Sequence, residues 1–285
     1  MSSAPKQMSA DTIRVIVRIT LFAAACWLTW RLMPFLMPPE INPLVVSTLS
    51  AFAAGALANG LLARMYEGSR LSAFGMAWER SSGRELLTGI VGGAGAAAAI
   101  FFFALVTHMA RLTFAPAGLS GTSVSGGLID LAFLLVILAF GAVGEELMFR
   151  GYAFQLMVRA MGEFAAVLPI AVLFGVAHTG NRSATPMAIF NTIAWGVLLG
   201  YAFLLTRTLW LPIGLHYGWN AAMPLLGANL SGFTMEVPYS LRWSASEWWS
   251  GGTYGLEGSV MTTVAVVALF FVLRRAVPRH ESGPT

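Results

Sequence analysis

Roughly eight apolar stretches, joined by short polar or proline-containing links, dominate the sequence. They are Ile13–Phe35, Leu44–Met65, Leu86–Ala110, Leu128–Val158, Phe164–His178, Met187–Leu205, Leu209–Gly227 and Ser259–Leu273. A helix needs about 20 predominantly apolar residues to cross a hydrocarbon core of about 30 Å, and most of these stretches meet or approach that length. Lipid offers no partner for backbone N–H and C=O groups, so a spanning segment must bond to itself as a helix. Pro34, Pro38 and Pro39 close the first stretch, because proline cannot continue a helix. Charged residues are 11% of the 285 positions and hydrophobic residues 57%, whereas a soluble chain carries about 25% charged residues. With mean hydropathy at +0.72, most of the outer surface must meet lipid. The expected fold class is all-α: a polytopic transmembrane helical bundle, integral to the membrane and multi-pass.

The basic residues set the orientation. If the N-terminus is cytoplasmic, Lys6, Arg14, Arg18, Arg64, Arg70, Arg80, Arg84, Arg150, Arg159, Arg207, Arg274, Arg275 and Arg279 fall on that side, and Arg31, Arg111, Arg182 and Arg242 on the other. The division is 13 against 4, or 12 against 4 with Arg150 inside the bilayer. The positive-inside rule then predicts both termini in the cytoplasm, and the expected location is a bacterial cytoplasmic membrane. The pI of about 9.6 does not imply nucleic acid, because the basic residues sit at span ends rather than in a run. Cys26 is the single cysteine, which excludes an intrachain disulfide and a Cys-rich zinc site. Ala23-Ala24-Ala25-Cys26 is a poor lipoprotein cleavage box, since Arg18 interrupts its apolar run; the start reads as an uncleaved first helix.

Three regions are expected: N-terminal transmembrane helices over 1–127, a core over 128–227, and an outer loop, last helix and cytoplasmic tail over 228–285. Gly89-x-x-x-Gly93 and Gly196-x-x-x-Gly200 offer small faces for close helix contact. Trp243, Trp248 and Trp249 in the outer loop read as an interfacial belt or a re-entrant segment.

Polar groups inside apolar spans are costly, at least about 2.5–3.5 kcal/mol for a mid-span charge on insertion scales, and they mark function by default. Glu145-Glu146-Leu147-Met148-Phe149-Arg150 is the first such cluster. Glu146 and Arg150 are four apart and share a helix face, so they can pair, while Glu145 is turned away and free. Two adjacent carboxylates repel in low dielectric, which favours one paired and one available as a general base. The bland alternative is a surface ion pair at a cytoplasmic helix end. The second cluster is Phe174-Gly175-Val176-Ala177-His178, whose histidine could equally be an interface residue. In the third, His216-Tyr217-Gly218-Trp219-Asn220, His216 and Asn220 project from one face and could polarise a carbonyl and hold an oxyanion. An interhelical hydrogen bond would also account for them. His108 and His280 receive no role.

Glu-Glu-x-x-x-Arg, then Phe-x-x-x-His, then His-x-x-x-Asn, each in its own hydrophobic segment, resembles the CPBP family of intramembrane proteases, which includes the Ras-converting CAAX prenyl endopeptidases and the abortive-infection proteins. The resemblance covers roughly Leu128 to Gly227 and departs at no motif position. It implies a peptidase acting inside the membrane, on a peptide or protein substrate that could carry a lipid and end in a CAAX sequence. By the resemblance, Glu145 activates water, His178 helps hold it, His216 and Asn220 bind the carbonyl oxygen, and Glu146 and Arg150 fix the helix. Metal dependence stays open at this stage: Glu145, His178 and His216 are a donor set for Zn2+ in an open catalytic site, and Glu with His can also activate water directly. The predicted helix starts put His178 about 21 Å and His216 about 12 Å from the cytoplasmic end, a mismatch that tilt could absorb.

Other readings compete. Gly118-Leu119-Ser120-Gly121 has the look of a rhomboid-like serine site with His178 as base, but it leaves the acidic pair unexplained. His-Glu-x-x-His, needed for a zincin, is absent from the sequence. A non-enzymatic scaffold, an immunity protein or a proton-relaying transporter is the alternative of another class.

Overall fold

A computed structural model describes residues 10–114, 124–234, 237 and 239–278, with the backbone alone for 124–127. Its helices are α1 (Ala10–Leu32), α2 (Pro43–Glu67), α3 (Ser82–Val106), α4 (Val124–Arg150), α5 (Tyr152–Met161), α6 (Glu163–Ala177), α7 (Pro186–Thr206), α8 (Trp210–Leu225), the short α9 (Glu247–Ser250) and α10 (Val260–Ala276). The described residues are all-α apart from two short strands, β1 (Ala110–Phe114) and β2 (Tyr239–Trp243), which pair antiparallel with Ala110 opposite Trp243. Tail residue His280 and the Ser120 segment lie outside the described residues.

Among the described residues five helical stretches are long and apolar enough to cross a membrane: Ala10–Leu36, Pro43–Glu67, Ser82–Val106, Leu128–Met161 and Pro186–Thr206. The other three of the eight expected apolar stretches form shorter helices. Helices α6, α8 and α10 have 15, 16 and 17 residues, or about 22–26 Å at 1.5 Å per residue, against a hydrocarbon core of about 30 Å. Neighbours rather than lipid cover α8, where only Trp210, Tyr217, Asn220 and Leu225 escape full burial.

Close helix contacts order the bundle. Gly89 and Gly93 of α3 lie against Gly214, Leu215 and Trp219 of α8, and a Cβ added at Gly93 would stand 2.1 Å from the Leu215 carbonyl oxygen. The expected small face of Gly89 and Gly93 is thus met by a second, Gly214-x-x-x-Gly218, and the two backbones touch. Rising numbers meet rising numbers, so α3 and α8 run parallel. Likewise α2 and α4 run parallel, Gly144 meeting Ala51 and Phe52, and Gly151 meeting Asn59. Helix α6 runs antiparallel to α7, with Gly175 against Ile193, Gly196 against Ala171 and Gly200 against Val167.

The expected single span Leu128–Val158 breaks at Gly151 (φ −76°, ψ −139°). Asn59, fully buried in α2, stabilises the break: its Nδ2 donates to the Leu147 carbonyl at 2.7 Å, and its Oδ1 accepts from the Tyr152 N–H at 2.6 Å. Gln155 Nε2 donates to the Arg150 carbonyl at 3.0 Å. Backbone groups freed by the break therefore find partners, as a dry interior requires.

Two faces result. On the face of the described termini, Arg18 pairs with Glu67 at 2.9 Å, Gln155 reaches the Phe74 carbonyl at 2.9 Å, and Trp210 Nε1 donates to the Ala77 carbonyl at 2.8 Å. Arg207 and Glu163 also pair there. On the opposite face β1 and β2 pair, the Ser244 N–H donates to the Met109 carbonyl, and Gly232 packs on the Arg182 backbone. Of the expected tryptophan belt, Trp248 and Trp249 are exposed on α9, whereas Trp243 packs beside Ala110 and Leu241.

Candidate active site

Glu145 and Glu146 leave α4 in different directions, as 100° per residue requires. Glu146 and Arg150 meet at 3.1 Å with neither side chain exposed to solvent. This removes the surface-pair alternative. Arg150 also donates from Nη2 to the Gly196 carbonyl at 3.0 Å and lies 4.7 Å over the Phe174 ring. The third partner of the pair is His216, whose Nδ1 lies 2.9 Å from the same Glu146 Oε1. A carboxylate can only accept here, so His216 carries a proton on Nδ1.

Glu145 faces the other way, with 27% of its side chain exposed. His178 Nε2 stands 3.8 Å and His216 Nε2 3.7 Å from Glu145 Oε2, an oxygen with no hydrogen-bond partner in the protein. The His178 ring is held by its Nδ1, 2.7 Å from the Phe174 carbonyl. That carbonyl accepts, so Nδ1 bears the proton and a neutral His178 turns a lone pair toward Glu145. Phe174 edges both imidazoles, at 4.7 and 6.0 Å between ring centroids. The gaps around Oε2 are too long for direct hydrogen bonds and fit a bridging donor such as water.

These side chains, 71 positions apart between Glu145 and His216, line one cavity of about 130 Å³ with Asn220, which has room for several waters. Helix α6 starts 15 residues before His178 and α8 six before His216. Since both rings reach one oxygen, the two helices differ in tilt or starting level. Charges balance if His216 is protonated: Glu145 and Glu146 against Arg150 and His216. Balance matters because an uncompensated charge in low dielectric is expensive. Among the described residues no group of three or more His, Cys, Asp or Glu is arranged to hold a metal ion.

Sequence reasoning missed the outer wall. Glu257, in the turn Leu256–Gly258, lines the cavity, and its Oε2 accepts from the Ser231 N–H at 2.5 Å and hydroxyl at 2.9 Å. Burial pushes the Glu257 carboxyl above the usual carboxylate range, while the Ser231 donors pull it back. Neighbouring Tyr254 is pushed up to about 12, first by burial and then by Glu257. Fully buried Asn191 ties this turn to α7, donating at 2.8 Å to the carbonyls of both Glu257 and Ser259. Trp195 and Trp219 line the same cavity, with ring centroids 5.0 Å apart; the Trp195 indole N–H has no partner in the protein, and that of Trp219 is directed at the Glu257 carboxylate. Asn191 carried a readable signal, an amide inside the apolar run Met187–Leu205; Glu257 lies in the outer loop, outside the apolar spans, and carried none. His108 has positive φ (57°) at the end of α3 and stays away from this cavity.

Residues 125–222 match the Rce1-like family model, described as type II CAAX prenyl endopeptidase Rce1-like. The match begins within a few residues of the expected core 128–227 and contains all six motif residues. No curated protein matches the chain.

Proposed function

We propose that this multi-pass membrane protein is an intramembrane endopeptidase that activates water with Glu145. The convergence of Glu145 Oε2 with His178 Nε2 and His216 Nε2 carries the reading. Water held between Glu145 and His178 gives a proton to the Glu145 carboxylate as its oxygen attacks the scissile carbonyl carbon. The oxyanion that forms is held by Asn220 and by His216 as an imidazolium, backed by Glu146 at 2.9 Å. Collapse breaks the C–N bond, and Glu145 returns its proton to the leaving amine. Arg150 positions Glu146. Zn2+ is the ion a Glu145-His178-His216 set would hold, and no step here passes through a metal. Both termini are placed in the cytoplasm, of a bacterial cell membrane by expectation, on the strength of the arginine distribution.

The test compares new peptide N-termini in native membranes carrying the wild type, Glu145→Gln or His178→Ala, with insertion checked by protease protection. Termini that vanish in both variants support the enzyme, and Glu145→Gln should retain uncut substrate on pull-down. Unchanged termini in both properly inserted variants would refute hydrolysis and favour a scaffold or immunity protein.

A further inference from the structure

The cavity has a top and a bottom. Its loop-borne walls, Asn181, Leu230, Ser231, Phe233 and Glu257, all come from connections on the face opposite the described termini. Its α2 residues Leu44, Ser47 and Thr48 belong to the first turns of that helix, at the same end. No lining residue comes from 68–81, 151–163 or 206–209, the connections at the other face. Below Glu145 the bundle is closed by the buried Glu146–Arg150 pair and by an apolar plug that includes Leu147, Phe154, Phe203, Leu209 and Ile213.

The two faces also differ in charge. Arg31, Arg111, Arg182 and Arg242 lie at the open end; Arg14, Arg18, Arg64, Arg70, Arg80, Arg84, Arg159, Arg207, Arg274 and Arg275 lie at the closed end. Ten against four is a strong bias under the positive-inside rule, which counts short loops and span ends as these are. The plugged end is therefore cytoplasmic.

We infer that the cavity is loaded from the non-cytoplasmic side, so that its substrates are membrane-anchored or exported polypeptides presenting a bond in the outer half of the bilayer. A prenylated C-terminus delivered from the cytosol would meet the plug and the buried ion pair. The substrate class rests on the peptidase reading; the side of access does not.

Cys26 is buried, so a Cys26→Ala background supports single-cysteine variants. Ser47→Cys and Asn181→Cys report the cavity, and Ser72→Cys, exposed in the turn Leu71–Phe74, reports the other face. Full-length protein is treated with a membrane-impermeant maleimide in intact cells and in inverted vesicles. The expected result is labelling of Ser47→Cys and Asn181→Cys in cells and of Ser72→Cys in inverted vesicles alone. Cavity cysteines that react only in inverted vesicles overturn the inference, whatever Glu145 does. In the N-terminus comparison, Glu145-dependent cuts should map to outer-side segments; cuts confined to cytosolic C-termini overturn the substrate class. Labelling as expected with no Glu145-dependent cut sinks the peptidase reading and leaves the access side standing.

Discussion

Replacing Arg150 by methionine tests the ion pair that organises the site. The guanidinium is fully buried, 3.1 Å from Glu146 and 3.0 Å from the Gly196 carbonyl. Methionine keeps much of the volume but leaves the Glu146 charge in a dry interior with only His216 beside it. Breaking a buried pair from one side costs about 3–5 kcal/mol. The Gly196 carbonyl adds little, because it lies inside α7 where the helix can still satisfy it. A loss of about 4 kcal/mol is nearly a thousandfold change in the folding equilibrium. Unfolding in detergent micelles titrated with dodecyl sulfate, followed by the fluorescence of the nine tryptophans, measures it. The double variant Glu146→Gln/Arg150→Met removes both charges and should be less destabilised than Arg150→Met alone. If Arg150→Met lies within about 0.5 kcal/mol of the wild type, where surface substitutions fall, or if the double variant shows the full sum of the single losses, the buried-pair reasoning is wrong.

Other perturbations separate the remaining contacts. Asn59→Leu orphans the Leu147 carbonyl and the Tyr152 N–H and should cost about 1–3 kcal/mol for each, read by the same titration; a near-neutral result would mean the break at Gly151 does not need its amide partner. Gly93→Ala drives a methyl into the Leu215 carbonyl, so α8 must shift, and cleavage should fall with stability; normal values for both would contradict the backbone contact. Asn220→Ala should lower kcat by about 10²–10³ with KM little changed, as for loss of one oxyanion donor; a change in KM alone would assign Asn220 to ground-state binding. Because the folded Glu257 holds its proton above the ordinary carboxylate value of about 4.3, its contribution to stability falls as pH rises through that value. Glu257→Gln should therefore gain stability over the wild type near neutral pH, and a gain that does not shrink toward pH 4 would contradict the burial argument.

The sequence carried the solvent, the fold class and the local pairing of Glu146 with Arg150, because apolar run length and four-residue spacing are properties of one segment. Of its eight apolar stretches three are short helices, α6, α8 and α10 with 15, 16 and 17 residues, and only α8 is enclosed by neighbours. The break at Gly151 was hidden because its partner, Asn59, lies 92 positions earlier on another helix. Polar residues inside apolar runs were the usable signal, and amides such as Asn59 and Asn191 belonged in that search beside the acids and histidines.

What only the tertiary structure decided is who faces whom. Helical spacing turns Glu145 and Glu146 apart but does not say that His216 touches both, through Nε2 and Nδ1, while His178 reaches one. That depends on glycines letting α3 meet α8, and α2 meet α4, at backbone contact, and on the relative tilt of α6 and α8. These distances are set between segments, and no local pattern encodes them. The same holds for the side on which the cavity opens: the sequence places the arginines, and packing places the plug.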